Sequence, residues 1–163
     1  MISASIECGN SVYTIRKAEL RDVSTLVDLL ADDPIGSTRE TTNPDARTIY
    51  EKAFEKIDAD DAHLLVVVTT ADDNVIGTVQ LTFIPGLSRM GATRMQIEAV
   101  RVHEDHRSQG IGSAMLRWAC EEGARRGAFL AQLTSDQTRT EAHEFYERLG
   151  FVASHIGFKK SLS

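Results

Sequence analysis

The segment 94–126 constrains the fold of this chain most strongly, because its periodicity changes abruptly from strand-like to helix-like. Up to Val102, polar and apolar side chains alternate as in a β-strand. From Ile111 onward, apolar residues recur at spacings of three and four, as in an amphipathic helix. Gly110 and Gly112 lie where this helix begins. A strand, a glycine-containing turn and a helix in succession predict an α/β domain.

The glycines at the helix start predict a turn that binds an anion. The N–H groups in the first turn of a helix have no intrahelical partner, and the helix dipole adds partial positive charge, so a phosphate suits this position. Arg107 adds a formal charge and several donors. A tight turn without a ligand is the alternative interpretation of Gly110 and Gly112. The segment matches neither a P-loop nor the dinucleotide fingerprint, whose third glycine is replaced here by Met115.

The same stretch resembles the central motif of the GNAT superfamily of acyl-CoA-dependent N-acetyltransferases. In that family, a strand ending Val-x-Val is followed by Arg/Gln-x-x-Gly-x-Gly/Ala and a helix. This chain has Val100-Arg101-Val102 and then Arg107-Ser108-Gln109-Gly110-Ile111-Gly112. A second family signature follows, Phe145-Tyr146-Glu147-Arg148-Leu149-Gly150-Phe151. The resemblance in element order extends over nearly the whole chain.

The periodicity predicts one mixed α/β domain over residues 1–163, with 1–11 as a loose N-terminal extension. We expect strands at 13–17, 63–70, 75–83, 94–102, 129–134, 151–154 and 158–162. We expect helices at 20–30, 44–57, 111–126 and 138–149, with Thr138 as the last helix's N-cap. This order, β-α-α-β-β-β-α-β-α-β-β, is the GNAT order. The resemblance implies that the central parallel strands, 94–102 and 129–134, splay apart to admit the pantetheine arm of the cofactor.

Composition argues against several classes of partner. The net charge is −6 and no basic stripe offsets it, which argues against a nucleic acid and favours the approach of a cationic amine. No apolar run approaches the ~20 residues of a membrane span, and the N-terminus does not resemble a secretion signal. We therefore expect a cytoplasmic protein without a membrane partner.

Two features argue against a metal centre or a disulfide framework. Cys8 and Cys120 are the only cysteines, and they are far apart in the sequence. The run His103-Glu104-Asp105-His106 lacks the His-Glu-x-x-His spacing and is better explained as a solvated loop. We expect no metal.

The resemblance implies transfer of an acetyl group from acetyl-CoA to a primary amine, by direct attack in a ternary complex. An alkyl amine has a pKa near 10, so roughly one molecule in a thousand is nucleophilic at pH 7. Glu98 is the expected general base, because strand alternation places it on one face with Val100 and Val102, whose backbone the family uses to hold pantetheine. Alternatively, Glu98 pairs with a cation or orients the substrate. His103 and His143 are the alternative bases.

Tyr146 matches the family tyrosine that points at the cofactor sulfur and acts as general acid. A purely structural alternative is an aromatic side chain packed beside Phe145 and Leu149. Some family members carry the base two residues before Glu98, where this chain has Gln96, which cannot accept the proton. The residues expected to hold the cofactor are Val100, Arg101, Val102, Arg107, Ser108, Gln109, Gly110, Ile111, Gly112, Ser113, Ser135 and Tyr146.

In this family the acceptor lies between the connection of the first two helices, here about 31–43, and the loop after the third strand, here about 84–93. The first wall carries acids that suit a cation, Asp32, Asp33 and Glu40. The second carries Arg89, with Arg94 just beyond, and suits a carboxylate or phosphate. A small amine with an acidic group, such as an amino acid or aminophosphonate, is therefore as plausible as a polyamine, an aminoglycoside or a protein amine.

Three further properties stay open in the sequence. The acyl group is acetyl or a longer one. The protein is an enzyme or a catalytically silent acyl-CoA-binding module that regulates a partner, and intact Glu98 and Tyr146 favour the enzyme. We expect a homodimer, although nothing in the chain determines its oligomeric state.

Overall fold

The computed structural model describes residues 2–32, 36–38 and 40–162, and these residues form one sheet with helices on both faces. The strands are β1 (Ser3–Cys8), β2 (Ser11–Lys17), β3 (His63–Thr69), β4 (Val75–Ile84), β5 (Thr93–Val102) and β6 (Ala128–Leu133). The helices are α1 (Val23–Ala31), α2 (Arg47–Asp58), α3 (Ile111–Arg125) and α4 (Thr140–Arg148). The strands follow the sheet in chain order and are antiparallel except for the β5–β6 pair, which is parallel. The mixed α/β prediction is confirmed.

Two apolar layers hold the helices against the sheet. On one face, α3 packs through Ile111, Met115 and Ala119 against strand residues that include Met95 and Ile97. On the other face, α1 and α2 form a smaller core. Its buried members are Ala18, Val23, Leu26, Val27, Phe54 and Val67. Because the sheet is covered on both faces, β3 is an almost continuous apolar run rather than an alternating one.

The N-terminal residues form an edge strand, so the prediction of a loose extension over 1–11 is wrong. β1 pairs antiparallel with β2 from Ser3↔Arg16 to Cys8↔Ser11, and the turn between them contains Gly9 with φ 61°. Ile6 is only 7% exposed and belongs to the core beneath α3. Apolar and polar residues alternate along β1. Its pairing with β2 makes this segment a strand rather than a loose extension.

A bulge interrupts β5 at Ala99. This alanine has φ 54°, and the pairings Thr78↔Arg101 and Gln80↔Glu98 leave two β5 residues opposite one residue of β4. β5 pairs with β6 only from Thr93 to Ile97, and beyond Ile97 the two strands are not paired. The predicted splayed parallel pair is therefore confirmed, and the bulge bends β5 where the separation begins.

The two C-terminal strands predicted at 151–154 and 158–162 do not form. Residues 151–162 belong to no helix or strand, and every residue from 152 to 162 is exposed. Phe151 donates its N–H to the Tyr146 carbonyl, after which the chain passes the end of β6, where Gly157 lies beside the Thr134 side chain. A strand needs a neighbour for its backbone hydrogen bonds, and among the strands described none pairs with this segment.

The glycines that end α3 and α4 were predicted correctly, but the residue that begins α4 was not. Gly127 and Gly150 follow α3 and α4 with φ of 80° and 88°, as expected of glycines that end helices. Thr138, however, is not the N-cap of α4, which begins at Thr140. The Thr138 hydroxyl and N–H both donate to the Asp136 carboxylate instead, because an aspartate two residues earlier offers a closer acceptor.

Candidate active site

The N-terminus of α3 presents unpaired backbone donors to solvent. Gly110 precedes the helix with φ 84°, and no side chain accepts a hydrogen bond at this N-cap. Ser108 is also left-handed, with φ 62°, so the turn folds back sharply before the helix begins. Ile111 is 1% exposed and anchors the first turn in the core. The N–H groups that follow Gly110 therefore lie at a fixed site suited to a phosphate.

The two glycines of this turn have different structural roles. A side chain at Gly110 would meet nothing within 4 Å, so its absence serves the left-handed backbone alone. A Cβ at Gly112 would lie 3.4 Å from the Phe145 ring and 3.8 Å from a Val102 methyl group. Gly112 therefore allows α4 to approach the start of α3. This contact links the two motifs that were separate in the sequence.

Arg107 is held by protein groups in this structure. Its Nε donates to the Val102 carbonyl at 3.0 Å, and one of its terminal nitrogens lies 2.9 Å from the Asp32 carboxylate. The ion pair is half-exposed, so solvent screens it. Arg107 thus ties the turn at 107–112 to the end of α1. Its predicted contact with a cofactor phosphate stays a prediction.

Glu98 does not share a face with Val100 and Val102, so that part of the sequence interpretation is wrong. Both valines pack against the core beneath α3, as Met95 and Ile97 do. The bulge at Ala99 shifts the alternation by one residue, which moves Val100 to the α3 face and leaves Glu98 on the opposite one. Glu98 is exposed there and lies opposite Gln80 of β4.

The open half of β5 offers backbone groups to the gap between β5 and β6. The Arg101 carbonyl points toward β4, where a Cβ at Gly77 would lie 3.1 Å from it. Because backbone groups alternate along a strand, those of Val100 and Val102 point toward the gap. The Val100 carbonyl accepts a hydrogen bond from the Arg101 side chain at 2.8 Å. The carbonyls of Val100 and Val102 on this side are therefore both occupied by arginine side chains in this structure.

Tyr146 projects from α4 into an aromatic cluster beside this region. Its ring centroid lies 5.3 Å from that of Phe145 and 6.0 Å from that of Phe151. Burial raises the pKa of the Tyr146 phenol above its usual value, and the positive charges of Arg139 and Arg101 only partly oppose this effect. The hydroxyl therefore carries its proton throughout the neutral range, as a general acid must.

The alternative bases have structural contacts. His103 Nδ1 accepts a hydrogen bond from the Asp105 N–H at 3.3 Å and so closes a short 3-10 turn. His143 Nε2 lies 2.8 Å from the Asp136 carbonyl. Gln96 Oε1 accepts a hydrogen bond from Gln132 across the parallel pair at 2.8 Å. Gln96 therefore joins β5 to β6 at the last residues before the gap.

The structure shows how residues of the two predicted acceptor walls are held. On the first, Asp32 pairs with Arg107, and Glu40 accepts a hydrogen bond from the Tyr50 hydroxyl at 2.9 Å. Asp33 lies outside the described residues. On the second, Arg89 is left-handed with φ 54°, within a short turn over Ser88–Gly91. Ser135, predicted to contact the cofactor, follows the end of β6.

Arg94 shares a strand face with Gln96 and Glu98. The β4–β5 register is continuous from Ile84↔Arg94 to Gln80↔Glu98, so these alternate residues all point away from α3. The face presents a cation at one end and a carboxylate at the other. From the sequence, Arg94 was assigned to the acceptor side and Glu98 to the catalytic strand, so their common face was not predicted.

Two residues of the site, Ala99 and Gln132, were not predicted from the sequence, and neither was the pairing of Asp32 with Arg107. Alanine gives no local sign of a left-handed backbone, and both hydrogen-bonding partners are distant in the chain. Neither cysteine has the character of a nucleophile, because burial raises the pKa of the Cys8 and Cys120 thiols. None of the helices described is both long and apolar enough to cross a membrane.

Known proteins similar to this chain support the same interpretation of the fold. A structure of a transcriptional regulator from Bacillus halodurans C-125 is 41% identical, covers 92% of this chain and 99% of its own, and has a TM-score of 0.88. The glucosamine-6-phosphate N-acetyltransferase from Arabidopsis thaliana, with 20% identity and a TM-score of 0.75 over 93% of this chain and 99% of its own, shares the fold.

A curated enzyme is similar over a shorter segment. The aminoalkylphosphonate N-acetyltransferase from Salmonella typhimurium (strain LT2) is 42% identical over 67 residues, which are 41% of this chain and 44% of that enzyme. The alignment thus spans less than half of either protein. The family model for the acetyltransferase (GNAT) family matches residues 24–151, which include β5, the α3 turn and Tyr146. The chain belongs to the GNAT family of acetyltransferases.

Proposed function

We propose that this protein transfers an acetyl group from acetyl-CoA to the primary amine of a small molecule. The observation that carries the proposal is the gap between β5 and β6 beyond Ile97, followed in the chain by the uncapped N-terminus of α3. The turn at 107–112 suits the pyrophosphate, and the backbone of Val100 and Val102 suits the pantetheine arm. The thioester supplies an activated acetyl group.

The chemistry requires two proton transfers in opposite directions. The amine nitrogen forms a bond to the acetyl carbon, the carbon–sulfur bond breaks, and the amine loses a proton. Glu98 takes that proton, directly or through water, because its carboxylate is exposed on the face of β5 that points away from α3. Tyr146 donates its proton to the departing sulfur, since its raised pKa keeps the hydroxyl protonated.

Transfer is direct, without an acetylated enzyme. A thiol relay needs a cysteine with a lowered pKa, whereas both thiols here have raised values. A ternary complex also suits the geometry, because Glu98 directly follows Ile97, the last β5 residue paired with β6, so the gap and the proposed base are neighbours along β5. Initial rates that depend on both substrates in an intersecting pattern would support this order, whereas parallel lines would contradict it.

The acceptor we favour is a short alkyl amine with an anionic group. Arg94 lies on the same face as Glu98, so a cation is available for the anion while the carboxylate receives the amine proton. The similarity to an aminoalkylphosphonate N-acetyltransferase supports the same class. Longer polyamines lack an anionic group for Arg94 and are expected to be poorer substrates.

The experiment is thiol release from acetyl-CoA across a panel of amines. The panel contains 2-aminoethylphosphonate, amino acids, spermidine, an aminoglycoside and a lysine peptide, and propionyl-CoA tests the acyl length. We expect turnover with the aminoalkylphosphonate above all others. Turnover with only the peptide would indicate a protein N-acetyltransferase and contradict the small-molecule proposal.

A second function is favoured by one comparison. The relative that is 41% identical over 92% of this chain is described as a transcriptional regulator. A catalytically silent acyl-CoA-binding module would bind coenzyme A in calorimetry and release no thiol with any amine. The presence of Glu98 and Tyr146 in this chain supports the enzyme. We further propose that the protein acts in the cytoplasm as a homodimer.

A further inference from the structure

We infer that Tyr13 of β2 is a positioning residue for the turn at 107–112, which it holds, through the Gln109 side chain, in the conformation that binds the pyrophosphate of coenzyme A. The inference rests on the proposed function, because it takes that turn as the phosphate site. It assigns a part in cofactor binding to a buried tyrosine that lies 96 positions before the turn residue it contacts.

The backbone of the turn has a conformation that its own sequence does not explain. Ser108 and Gly110 both have positive φ, 62° and 84°, and Gln109 lies between them. Glycine adopts this region readily, whereas serine stays there only where its surroundings hold it. The direction of the N–H groups that follow Gly110 depends on this backbone. The conformation of Ser108 therefore requires support from the residues beside it.

Both side chains that flank Ser108 are anchored to distant parts of the protein. Arg107 is tied to the end of α1. Gln109 uses both ends of its amide group: Nε2 donates to the Asp105 carbonyl at 3.1 Å, and Oε1 accepts a hydrogen bond from the Tyr13 hydroxyl at 3.2 Å. The turn is thus held from α1 on one side of Ser108 and from β2 on the other.

Tyr13 is a rigid anchor for this purpose. It is 8% exposed and belongs to the core beneath α3, as does Ile6, which lies opposite it in β1. The His106 ring packs edge-on against the Tyr13 ring, with centroids 6.5 Å apart and an angle of 88° between the ring planes. Because the ring is packed on these sides, its hydroxyl has little freedom to move. The hydrogen bond therefore fixes the Gln109 side chain rather than following it.

Gln109 acts in this arrangement through its backbone rather than through its amide group. The residue is exposed, yet both polar atoms of its side chain are engaged by protein groups. If the amide contacted the cofactor directly, Tyr13 would have no influence on binding. If the amide is fixed by Tyr13, the loss of one hydroxyl changes the phosphate site. The two arrangements predict different results for the same substitution.

The first experiment measures coenzyme A binding by calorimetry in Tyr13→Phe, in Gln109→Met and in the double variant, each checked for folding by circular dichroism. Loss of the Tyr13 hydroxyl should raise the Kd about threefold to tenfold, the effect expected of one hydrogen bond. Gln109→Met should raise the Kd similarly, and the double variant should bind no more weakly than Gln109→Met alone, because the two side chains act as one unit.

Tyr50→Phe is the matched control. Its hydroxyl donates to Glu40, away from the turn, so the Kd should change by less than about twofold. An equal loss in Tyr50→Phe, or an unchanged Kd in Tyr13→Phe, would overturn the inference. Additive losses in the double variant would also overturn it, because Tyr13 and Gln109 would then act separately.

The second experiment separates positioning from catalysis. Tyr13→Phe should raise the KM for acetyl-CoA about threefold to tenfold and leave kcat within about twofold, because the turn holds the pyrophosphate and not the reacting atoms. A lower kcat with an unchanged KM would overturn the inference.

Failure of the proposed function gives a different result from failure of the inference. A wild-type chain that binds no coenzyme A would refute both. A chain that binds coenzyme A but releases no thiol fails as an enzyme, and the calorimetric comparison then decides the inference by itself. Wild-type turnover with a Kd that does not respond to Tyr13→Phe would refute the inference alone.

Discussion

β1 and β6 both lie at an edge of the sheet, yet the chain treats these edges differently. At the β1 edge, the N-terminal residues pair along their whole length with β2, and Ile6 is buried. At the β6 edge, Phe129 is exposed, and residues 152–162 form no strand despite their alternating pattern. A period-two pattern therefore produces a strand only where the chain can bring a backbone partner beside it.

The two edges also differ in what they contribute, packing at one and candidate catalytic groups at the other. The β1 edge adds packing beneath α3 and no candidate catalytic group. The β6 side contains the gap and lies next to the α4 helix that carries Tyr146. Substitutions at the two ends should consequently change different measurable quantities.

The largest effect is expected at the β6 side, for Tyr146→Phe. Loss of the general acid should lower kcat by about 10²-fold to 10³-fold, while the Kd for coenzyme A changes by less than about twofold. Because the pKa of Tyr146 is raised, the wild-type rate should be retained below that pKa and lost as pH rises through it, at a higher pH than for an ordinary tyrosine. The measurement is kcat against pH. An unchanged kcat would exclude Tyr146 as the acid.

The next prediction compares isoleucine-to-alanine substitutions in β1 and in the segment that follows α4. Ile6→Ala removes a buried side chain and should lower the free energy of unfolding by about 2–4 kcal/mol without altering kcat per folded molecule. Ile156 is 79% exposed, so Ile156→Ala should change the free energy of unfolding by less than about 0.5 kcal/mol in dilute protein. Urea unfolding below the dimerisation range measures both. Equal losses would mean that the two edges are equally packed.

A smaller effect is expected for alanine at two left-handed glycines. Gly9 turns between β1 and β2, and Gly110 precedes α3, and neither would bring a Cβ within 4 Å of another group. Each Gly→Ala substitution should cost about 1–2 kcal/mol of stability, because a Cβ disfavours positive φ. Only Gly110→Ala should also weaken coenzyme A binding, measured by calorimetry. Unchanged affinity in that variant would count against the phosphate site.

The smallest effect concerns single hydrogen bonds at the two ends. Gln132→Met removes the bond to Gln96 at the mouth of the gap, and Tyr13→Phe removes the bond from β2 to Gln109 in the turn before α3. Each substitution should lower the free energy of unfolding by about 0.5–1.5 kcal/mol, as measured by urea unfolding. Gln132→Met should additionally speed amide exchange at residues 96–97. Identical exchange there would mean that this bond does not hold the two strands together.

Local sequence was sufficient for much of the fold. The β3–β4 hairpin, the helical period from Ile111 and the glycines after α3 and α4 were recognised correctly, since each depends on neighbouring residues. The candidate site was recognised in part. Gly110 and the Tyr146 motif were identifiable, whereas the partner of Arg107 and the second role of Gly112 were not, because both involve residues far away in the chain.

By itself, the sequence determined the succession of elements from β2 to α4, the turn between β5 and α3, and through these the family. Only the tertiary structure decided that β5 has a bulge at Ala99, which places Glu98 and Val100 on opposite faces of the strand. It also decided that residues 3–8 form a strand while residues 152–162 do not. The physical reason is that helices and tight turns form hydrogen bonds between near neighbours, whereas register, bulges and edges depend on which distant strand supplies the partner.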